Sequence, residues 1–547
     1  MTIKYTKEQL NKFDKDLLIE LFLGMQGQME ELSRQTQALN DRMQLMMEQM
    51  VLFQKNHFGR SSEKMTDPEQ IRFMEVDGTI VFFNEAEAVC DLDAPEPDDL
   101  ELKAPKKKKQ PGKKAADIAG LTVKRIDHYL KEEELTAEFG ENGWKQLPDA
   151  ISRCYQFIPA SVVIEEHHIG VYSSKLDEHM IKAPHPRNLL HGSLVSPSFA
   201  AAVINGKYVN AVPLYRLEKE FERYGLAITR QNMANWMIRL GEEYLGTMYD
   251  YLHKLLYDYH VIQADETPVL VNKDGRPAGS QSYMWVYRSG FMYRDRQIIL
   301  YEYQKTRNAS HPREFLRDYT GICVTDGYQV YHTLEKEREN LKIAGCWVHC
   351  RRRFNDALEV IPKAHRKESI LHLIMKQIQA IYREEGKLSD FSTEDRLMQR
   401  QLVVKPLVDA FFAYLKQNEP KIPKNGKIRE AFTYALNQES YLKVFLEDGD
   451  VPIDNNASER AIRGFCIGKK NWEMIDTVNG ANSSAIIYSI AETAKANNLK
   501  PFDYFEYLLT EIPKHVDDKN IDFLAELLPW SDMLPENIRK PQKASGK

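Results

Sequence analysis

The fold of this chain is decided at Val261-Ile262-Gln263-Ala264-Asp265-Glu266-Thr267, an apolar run with two acids inside it. Short runs rich in β-branched and aromatic residues are typical of strands, and four more such runs follow this one. The pattern predicts five strands, which are His260 to Leu270, Tyr283 to Arg288, Gln297 to Tyr303, Ile322 to Asp326 and Lys342 to Val348.

The order of elements around these strands indicates the class of fold. Ser310 to Leu316 has a capping residue and a first-turn proline, which predicts a helix between the third and fourth strands. Three consecutive strands, a helix, a fourth strand and then more helix and strand is the order of a ribonuclease-H-like fold. After Arg351 the sequence is helical through about Lys443. We therefore expect a mixed-sheet α/β core that an all-helical insert interrupts.

Three acids stand where a metal-dependent phosphoryl-transfer site needs them. Asp265 lies inside the first strand, Asp326 ends the fourth, and Glu459 follows Asp454-Asn455-Asn456, which can cap a helix. Hard ions such as Mg²⁺ prefer oxygen ligands, and two ions about 3.5–4 Å apart stabilise charge during phosphodiester cleavage. We predict Asp265, Asp326 and Glu459 as catalytic, metal-binding residues. Taken singly, each could be a cap or surface charge, and Glu459 could pair with Arg463.

Cationic residues near these acids are candidates for DNA contact. His349, Arg351 and Arg352 suit phosphate binding at a strand-to-helix junction, although a solvated helix start is the alternative. Cys346, His349 and Cys350 lack a matching second pair of ligands, so we expect no structural zinc there. A second set combines cations with an aromatic plane, although its tryptophan could equally be core: Arg460, Arg463, Lys469, Lys470 and Trp472.

A helical region precedes the strands. Pro213 to Tyr224 reads as a helix, Gly225 stops it, and Thr229 can cap a polar helix that begins at Arg230. This order predicts a helix-turn-helix with Arg230 among its DNA contacts, and an ordinary helical hairpin stays open as the alternative.

The amino-terminal region predicts self-association. Apolar residues recur every seven positions, with a second series offset by four, which is typical of a coiled coil. An amphipathic helix packed on its own core is the alternative. An acidic stretch and the cluster Lys106 to Lys114 follow, which indicates a linker whose lysines either contact DNA or serve as a solvated tether.

Composition excludes several classes of protein. The 547 residues are 43% hydrophobic and 28% charged, with a net charge of −6, so we expect several globular domains rather than disorder. Six scattered cysteines favour free thiols in a reducing cytoplasm over a disulfide framework. No apolar run reaches the roughly 20 residues of a spanning helix, which argues against membrane and secreted proteins.

At these residues the chain resembles the insertion sequence 66 (IS66) family of transposases, a DDE-type group. A series of short motifs, in a fixed order along the chain, carries the resemblance. They are Phe58-Gly59-Arg60-Ser61-Ser62-Glu63-Lys64, Pro213-Leu214-Tyr215-Arg216, Ala264-Asp265-Glu266-Thr267-Pro268, Thr325-Asp326-Gly327-Tyr328, Gly345-Cys346-Trp347-Val348-His349, Asp454 to Arg463, Gly468 to Trp472 and Ala491 to Lys495. The resemblance implies a ribonuclease-H-like core with Asp265, Asp326 and Glu459 as its metal-binding triad. Relatives generally carry a cysteine-rich zinc module, whereas Ala116 to Lys182 contains only Cys154, so we expect this module to fold on apolar packing without structural zinc.

The expected segments follow from these observations. They are a coiled-coil oligomerisation helix (1–57), an acidic then lysine-rich linker (58–115), a small α+β module (116–182), a helical DNA-binding region (183–256), two parts of the core (257–364 and 451–512), a helical insert (365–450) and a carboxyl-terminal tail (513–547).

The resemblance implies a Mg²⁺-dependent DNA transposase, with Mn²⁺ able to substitute, that cleaves DNA at terminal inverted repeats and transfers the freed 3′-hydroxyl to target DNA. It also implies a bacterial, nucleoid-associated protein in the cytoplasm that works with small accessory proteins. The coiled-coil pattern predicts that the chain forms a homo-oligomer. The residues alone indicate a carboxylate–metal nuclease-like enzyme with DNA-binding parts. A ribonuclease-H-like nuclease that only hydrolyses and a catalytically inactive coiled-coil DNA-binding regulator stay open.

Overall fold

The structure is a computed structural model that describes residues 73–76, 79–82, 131–139, 141, 160–173, 180–184, 188–277, 279–518 and 520–541. The predicted coiled coil (1–57) and the lysine cluster of the linker lie outside these residues, as does Cys154. All four cysteines in the described residues, Cys323, Cys346, Cys350 and Cys466, are free. Within the described ranges, no helix is both long and apolar enough to cross a membrane.

Short elements occupy the region before residue 188. Strands β1 (Phe73–Val76) and β2 (Thr79–Phe82) pair antiparallel inside the predicted linker. Helix α1 (Glu132–Phe139) is followed by the antiparallel strands β3 (Val171–Ser173) and β4 (Met180–Lys182). Val162, Val163 and Ile164 form no strand with the described residues, and Ile164 is 91% exposed.

Four helices lead into the central sheet: α2 (Pro197–Ile204), α3 (Leu214–Arg223), α4 (Arg230–Leu240) and α5 (Gly246–Leu256). Single π-helical turns extend α2 and α4 at Asn205–Val209 and Gly241–Leu245. Gly225 ends α3 with a φ of +85°, a conformation that favours glycine. The Thr229 hydroxyl accepts a hydrogen bond from the Asn232 amide at 3.2 Å and caps α4. The predicted order of helix, glycine turn and capped helix is confirmed.

The central sheet is mixed and has six strands: β5 (Val261–Lys273), β6 (Gln281–Ser289), β7 (Ile299–Gln304), β8 (Gly321–Thr325), β9 (Leu341–Gly345) and β10 (Ile475–Thr477). Its main order is β7-β6-β5-β8-β9. The β5–β6 and β6–β7 pairs are antiparallel, whereas β5–β8 and β8–β9 are parallel. Strand β10 pairs in parallel with the far end of β5.

The five predicted strands are all present, and only their ends differ. The fifth was expected to reach Val348, but β9 ends at Gly345 and helix α8 begins at Trp347. The physical reason is tertiary: the Trp347 amide donates to the Ile453 carbonyl at 3.2 Å and the indole donates to the Leu442 carbonyl at 2.8 Å.

Gly321 is the first residue of β8 and has a φ of +141°. A Cβ at this position would lie 2.3 Å from the His260 carbonyl oxygen.

Helices follow the strands as predicted. Between and after the sheet strands lie α6 (Ser310–Phe315), α7 (Gln329–Glu337), α8 (Trp347–Val360), α9 (Ile370–Gly386), α10 (Thr393–Gln399), α11 (Lys405–Asn418), α12 (Lys427–Asn437), α13 (Glu439–Lys443), α14 (Asn456–Trp472), α15 (Val478–Ala496) and α16 (Pro501–Glu511). Arg400–Val404 is a π-helical turn, and short 3₁₀ turns occur at Lys363–Glu368, Glu419–Lys421, Val444–Leu446, Ile512–His515, Asp522–Ala525 and Glu536–Ile538.

The described residues divide into two compact units. The helical unit contains 350–383 and 409–437, together with the β1–β2 pair; in it Phe354 packs edge-on against Phe411 and Phe432. The sheet unit contains the described residues of 131–349, 384–408 and 438–541. The sheet and all three predicted acids belong to the sheet unit.

Helix α15 protects the edge strand of the sheet. The Ser489 and Thr493 hydroxyls accept hydrogen bonds from the Tyr301 and Ile299 amides of β7 at 2.7 and 3.0 Å. These hydroxyls give hydrogen-bond partners to backbone N–H groups of β7 that an uncovered edge strand would leave unpaired. The Tyr301 hydroxyl in turn donates to the Ala461 carbonyl of α14 at 2.7 Å, so β7 also fixes the helix that carries Glu459.

A buried ion pair fixes the segment 384–408 within the sheet unit. Arg400 is 0% exposed and its Nε donates to both carboxylate oxygens of Glu385 at 3.1 Å. Its Nη1 donates to the carbonyls of Phe445 and Asp448 at 2.8 and 2.6 Å. Arg400 therefore ties two helical segments to the loop that leads into α14.

Replacing Arg400 by Met leaves the Glu385 carboxylate buried and uncompensated. We expect Arg400→Met to lower the free energy of unfolding by about 3–5 kcal/mol. Arg313→Met is the matched control, since Arg313 pairs with Glu337 on the surface, where the loss is below about 1 kcal/mol. Urea unfolding followed by circular dichroism measures both. Equal losses in the two variants would contradict a structural role for Arg400.

Candidate active site

Neighbouring parallel strands bring Asp265 and Asp326 together. The pairing of β5 with β8 places Gln263 opposite Val324, two residues before each acid. Asp265 continues β5, and Asp326 is the first residue after β8. The Tyr328 amide donates to Asp326 Oδ1 at 2.9 Å and fixes that carboxylate at the start of the following turn.

Helix α14 brings the third acid from far along the chain. Asn455 is fully buried before its first turn, and its side-chain amide donates to the Ala264 carbonyl at 2.8 Å. Gln263 Nε2 donates to Asn455 Oδ1 at 3.0 Å, and the Asn455 amide donates to the Cys346 sulfur at 3.2 Å. The start of α14 is therefore anchored on the residue that precedes Asp265, and Glu459 lies in the first turn of that helix.

The three acids share one electrostatic environment. The pKa of Asp265 is raised well above its ordinary value, first by burial and then by the negative charges of Glu266, Asp326 and Glu459. The Glu266 amide opposes this shift by donating to Asp265 Oδ1 at 2.8 Å. The structure therefore brings together the acids that the sequence separates by 61 and 133 positions.

A fourth acid and an arginine complete the cluster, and the sequence analysis missed both. The Glu266 side chain is 2% exposed, and Arg307 Nε donates to its Oε1 at 2.7 Å. Arg307 Nη2 lies 3.9 Å from Asp326 Oδ2, and its guanidinium lies 3.7 Å from the centre of the Tyr328 ring. Burial and the charge of Asp326 raise the pKa of Glu266 to about 7, against the opposing effect of Arg307.

The sequence gives little indication that Glu266 and Arg307 belong to the site. Glu266 directly follows Asp265, but adjacent residues of a strand point to opposite faces, so no periodicity joins them. Arg307 lies in a loop 41 residues later. Only the antiparallel pairing of β5, β6 and β7 brings that loop beside the acids.

The residues predicted to contact DNA differ in their exposure and in the compact unit to which they belong. Arg460, Arg463 and Lys470 are exposed on α14, and Arg230 is exposed at the start of α4. His349 is partly exposed in the first turn of α8, with its Nδ1 4.0 Å from Glu459 Oε1. Arg351 and Arg352 belong to the helical unit.

Two residues of the predicted basic and aromatic set are engaged within the sheet unit. Lys469 Nζ donates to the Pro268 carbonyl at 2.6 Å. Trp472 is half-buried and packs edge-on against Phe465, with ring centres 5.6 Å apart. Its packing is that of a core aromatic, the alternative that the sequence left open.

The oxygen chemistry of these carboxylates suits a divalent cation. Asp265, Asp326 and Glu459 offer only oxygen ligands, which Mg²⁺ and Mn²⁺ prefer. Burial raises the pKa of Asp265 and repulsion from the neighbouring acids adds to the shift, and a bound cation would relieve that repulsion.

Comparison with known protein families gives three matches. The model "Transposase IS66 family" matches residues 192–483, more than half of the 547 residues, and includes all three acids. The "IS66 C-terminal element" matches residues 489–530. "Transposase C of IS166 homeodomain" matches residues 45–126, most of which lie outside the described ranges.

Similar proteins occur in Sinorhizobium fredii (strain NBRC 101917 / NGR234). The chain is 28% identical to uncharacterized protein y4qI over 369 residues, which cover 66% of this chain and 67% of that protein. It is 24% identical to uncharacterized protein y4jD over 433 residues, covering 76% of this chain and 82% of that protein. Uncharacterized protein y4hP is 22% identical over 408 residues, 72% of each chain.

Removing the anchor of α14 tests how the site is assembled. Asn455→Ala leaves the Ala264 carbonyl and the Gln263 amide without their buried partner, so we expect the free energy of unfolding to fall by about 1–3 kcal/mol. Asn482→Ala, at an exposed position of α15, is the control and should not destabilise the chain. Thermal unfolding measures both. Identical melting temperatures would show that the Asn455 amide does not hold the helix.

Replacing Asp265 by Asn tests the repulsion in the cluster. The folded-state pKa of Asp265 lies above its unfolded value, so its ionised form opposes folding at every pH above that unfolded value. We expect Asp265→Asn to raise the melting temperature by a few degrees at neutral pH in the presence of a chelator. Mg²⁺ or Mn²⁺ should then stabilise the wild-type chain more than the variant. Asp295→Asn, in an exposed turn, should change neither quantity.

Proposed function

The chain belongs to the IS66 family of transposases, and from this we propose that it is a DNA transposase that binds the terminal inverted repeats of its insertion sequence and catalyses DNA cleavage and strand transfer. One observation carries the proposal: Asp326 and Glu459 lie close enough to Asp265 for their charges to raise its pKa. A cluster of repelling carboxylates is costly to a fold, which is typical of a functional site.

We propose that the sheet is a ribonuclease-H-like core. Three antiparallel strands followed by two parallel ones, in the order β7-β6-β5-β8-β9, support this assignment. The positions of the acids also support it, because Asp265 lies on the central strand and Asp326 follows the neighbouring parallel strand.

Asp265, Asp326 and Glu459 are proposed to hold Mg²⁺, with Mn²⁺ able to substitute. Bound ions would supply charge stabilisation to the attacking and leaving oxygens of the phosphodiester. Asn455 positions Glu459 by anchoring its helix on Ala264. Arg307 is a positioning residue, since it holds Glu266 and lies 3.9 Å from the Asp326 carboxylate.

The exposed face of α14 is proposed as a path for the DNA backbone. Arg460, Arg463, Ile467 and Lys470 recur at spacings of three and four, so they share one exposed face of a helix that starts beside the acids. The Arg460 guanidinium lies 5.4 Å from the centre of the Phe291 ring. A stripe of cations that extends from a carboxylate site suits a phosphate chain whose scissile bond reaches the acids.

Helices α3 and α4 are proposed as a helix-turn-helix. Arg230, Gln231 and Asn235 are exposed on α4, and Gln231 Nε2 donates to Asn235 Oδ1 at 3.2 Å. Arginine and carboxamide side chains are the usual readers of base edges in the major groove. Buried Met233, Met237 and Leu240 fix the opposite face of the same helix.

Two further parts of the proposal come from the family and from the amino-terminal sequence. The coiled coil predicted from the heptad pattern of residues 1–57 would join copies of the chain. A reaction at both ends of the insertion sequence requires such joined copies. Small accessory proteins of the same element would act with it.

Strand-transfer assays test the proposed function. The substrates are duplexes that carry the inverted repeats bounding the gene, with Mg²⁺ or Mn²⁺ and a target plasmid. We expect nicked and joined products from the wild-type chain, and losses of about a thousandfold, or about 4 kcal/mol of transition-state stabilisation, in Asp265→Asn, Asp326→Asn and Glu459→Gln. Asp295→Asn should retain activity.

The same experiment separates the alternatives. Cleavage without joining would identify a nuclease that only hydrolyses. Duplex binding with no cleavage under any metal would identify a regulator. Arg230→Gln should weaken duplex binding, measured by fluorescence anisotropy without divalent ions, while the three acid variants should keep it.

A further inference from the structure

A second group of potential metal ligands lies beside the acid cluster. The Cys346 sulfur, a ring nitrogen of His349 and a carboxylate oxygen of Glu459 all lie within 4.8 Å of one another. Cys346 follows β9, His349 lies in the first turn of α8, and Glu459 lies in the first turn of α14. All three belong to the sheet unit.

The distances among the three ligand atoms are close to those around a bound ion. Tetrahedral zinc with one sulfur, one nitrogen and one oxygen ligand places these atoms about 3.3–3.6 Å apart. His349 Nδ1 and Glu459 Oε1 are 4.0 Å apart and no two of the three ligand atoms are more than 4.8 Å apart, so side-chain rotation must bring them closer to reach the distances around a bound ion. The three side chains are mostly buried: the cysteine is 0% exposed, and the histidine and glutamate are 24% and 12% exposed.

The backbone around the group is already fixed. The Asn455 amide donates to the Cys346 sulfur at 3.2 Å, and the Trp347 amide donates to the Ile453 carbonyl at 3.2 Å. These bonds join the end of β9 to the segment that enters α14. Ligands on three elements are therefore held in place without a metal, which lowers the ordering cost of binding.

The chemistry of this group differs from that of the acid cluster. A thiolate and an imidazole select Zn²⁺ and similar borderline ions, whereas an all-oxygen set suits Mg²⁺ and Mn²⁺. With three protein ligands, a tetrahedral ion would keep one open position. Burial raises the pKa of the Cys346 thiol, so binding releases its proton to solvent as the sulfur–metal bond forms.

We propose that Cys346, His349 and Glu459 form a site for a thiolate-preferring divalent ion of the Zn²⁺ class, and that an ion held there withdraws Glu459 from the carboxylate set. The binding part of this proposal stands on the geometry of the three side chains. The consequence for activity rests on the proposed function, because it requires Glu459 to act with Asp265 and Asp326. Such ions would then inhibit the reaction that Mg²⁺ supports.

Cobalt titration tests the site without any DNA reaction. The full chain is stripped with a chelator and titrated with Co²⁺, which reports a thiolate ligand through a near-ultraviolet charge-transfer band. We expect one equivalent to produce the band in the wild-type chain and equimolar Zn²⁺ to remove it. Cys346→Ser should abolish the band, and His349→Asn should weaken Co²⁺ binding by about tenfold or more.

Cys466→Ser is the matched control, because Cys466 is a partly buried free thiol on α14 outside the group. It should keep the band. The wild-type chain giving no band, or Cys346→Ser keeping it, would overturn the proposal. If Cys346→Ser unfolds, as judged by circular dichroism, the His349→Asn titration decides.

An activity measurement tests the consequence separately. Zn²⁺ added to a Mg²⁺-supported cleavage reaction should inhibit the wild-type chain at concentrations about tenfold or more below those needed for Cys346→Ser, each relative to its own rate without Zn²⁺. Equal inhibition would overturn the link to Glu459. A chain that binds Co²⁺ as expected but never cleaves DNA would instead contradict the proposed function, so the two failures are distinguishable.

Discussion

A buried carboxamide connects the two halves of the candidate site. Asn455 donates to the carbonyl of Ala264 and accepts from the side chain of Gln263, so the start of α14 is fixed to the strand residue next to Asp265. The Asn455 backbone amide reaches Cys346 at the end of β9 as well. One residue thus joins a central strand, an outer strand and the helix that carries Glu459, and the position of the third acid depends on it.

The convergence of the acids has a cost that the surrounding structure partly offsets. Burial and neighbouring charge raise the pKa of both Asp265 and Glu266. Arg307 compensates one of them directly, and its stacking on Tyr328 keeps it in place. Asp265 has no comparable cation among the causes of its shift, so its charge is the one that a bound divalent ion would most relieve.

Glu459 lies between two proposed ligand sets. Its carboxylate is part of the electrostatic environment of Asp265, and it also lies within reach of Cys346 and His349. A ligand shared between a hard oxygen set and a softer sulfur and nitrogen set makes metal identity consequential for this site. The position of Glu459 near the end of β9 therefore matters to both the proposed carboxylate site and the proposed Cys346–His349–Glu459 site.

The sequence by itself determined the strands of the core, helix α3, the capped helix α4, and the three acids as candidates. Those features follow from local periodicity, turn residues and residue type, which are written in contiguous stretches. It did not determine the helical start at Trp347, the roles of Glu266 and Arg307, or the approach of Cys346 and His349 to Glu459. Each of these depends on hydrogen bonds or charges between residues far apart in the chain, such as Trp347 with Leu442 and Arg307 with Glu266. Only the folded sheet, by setting which strand ends meet, decided them.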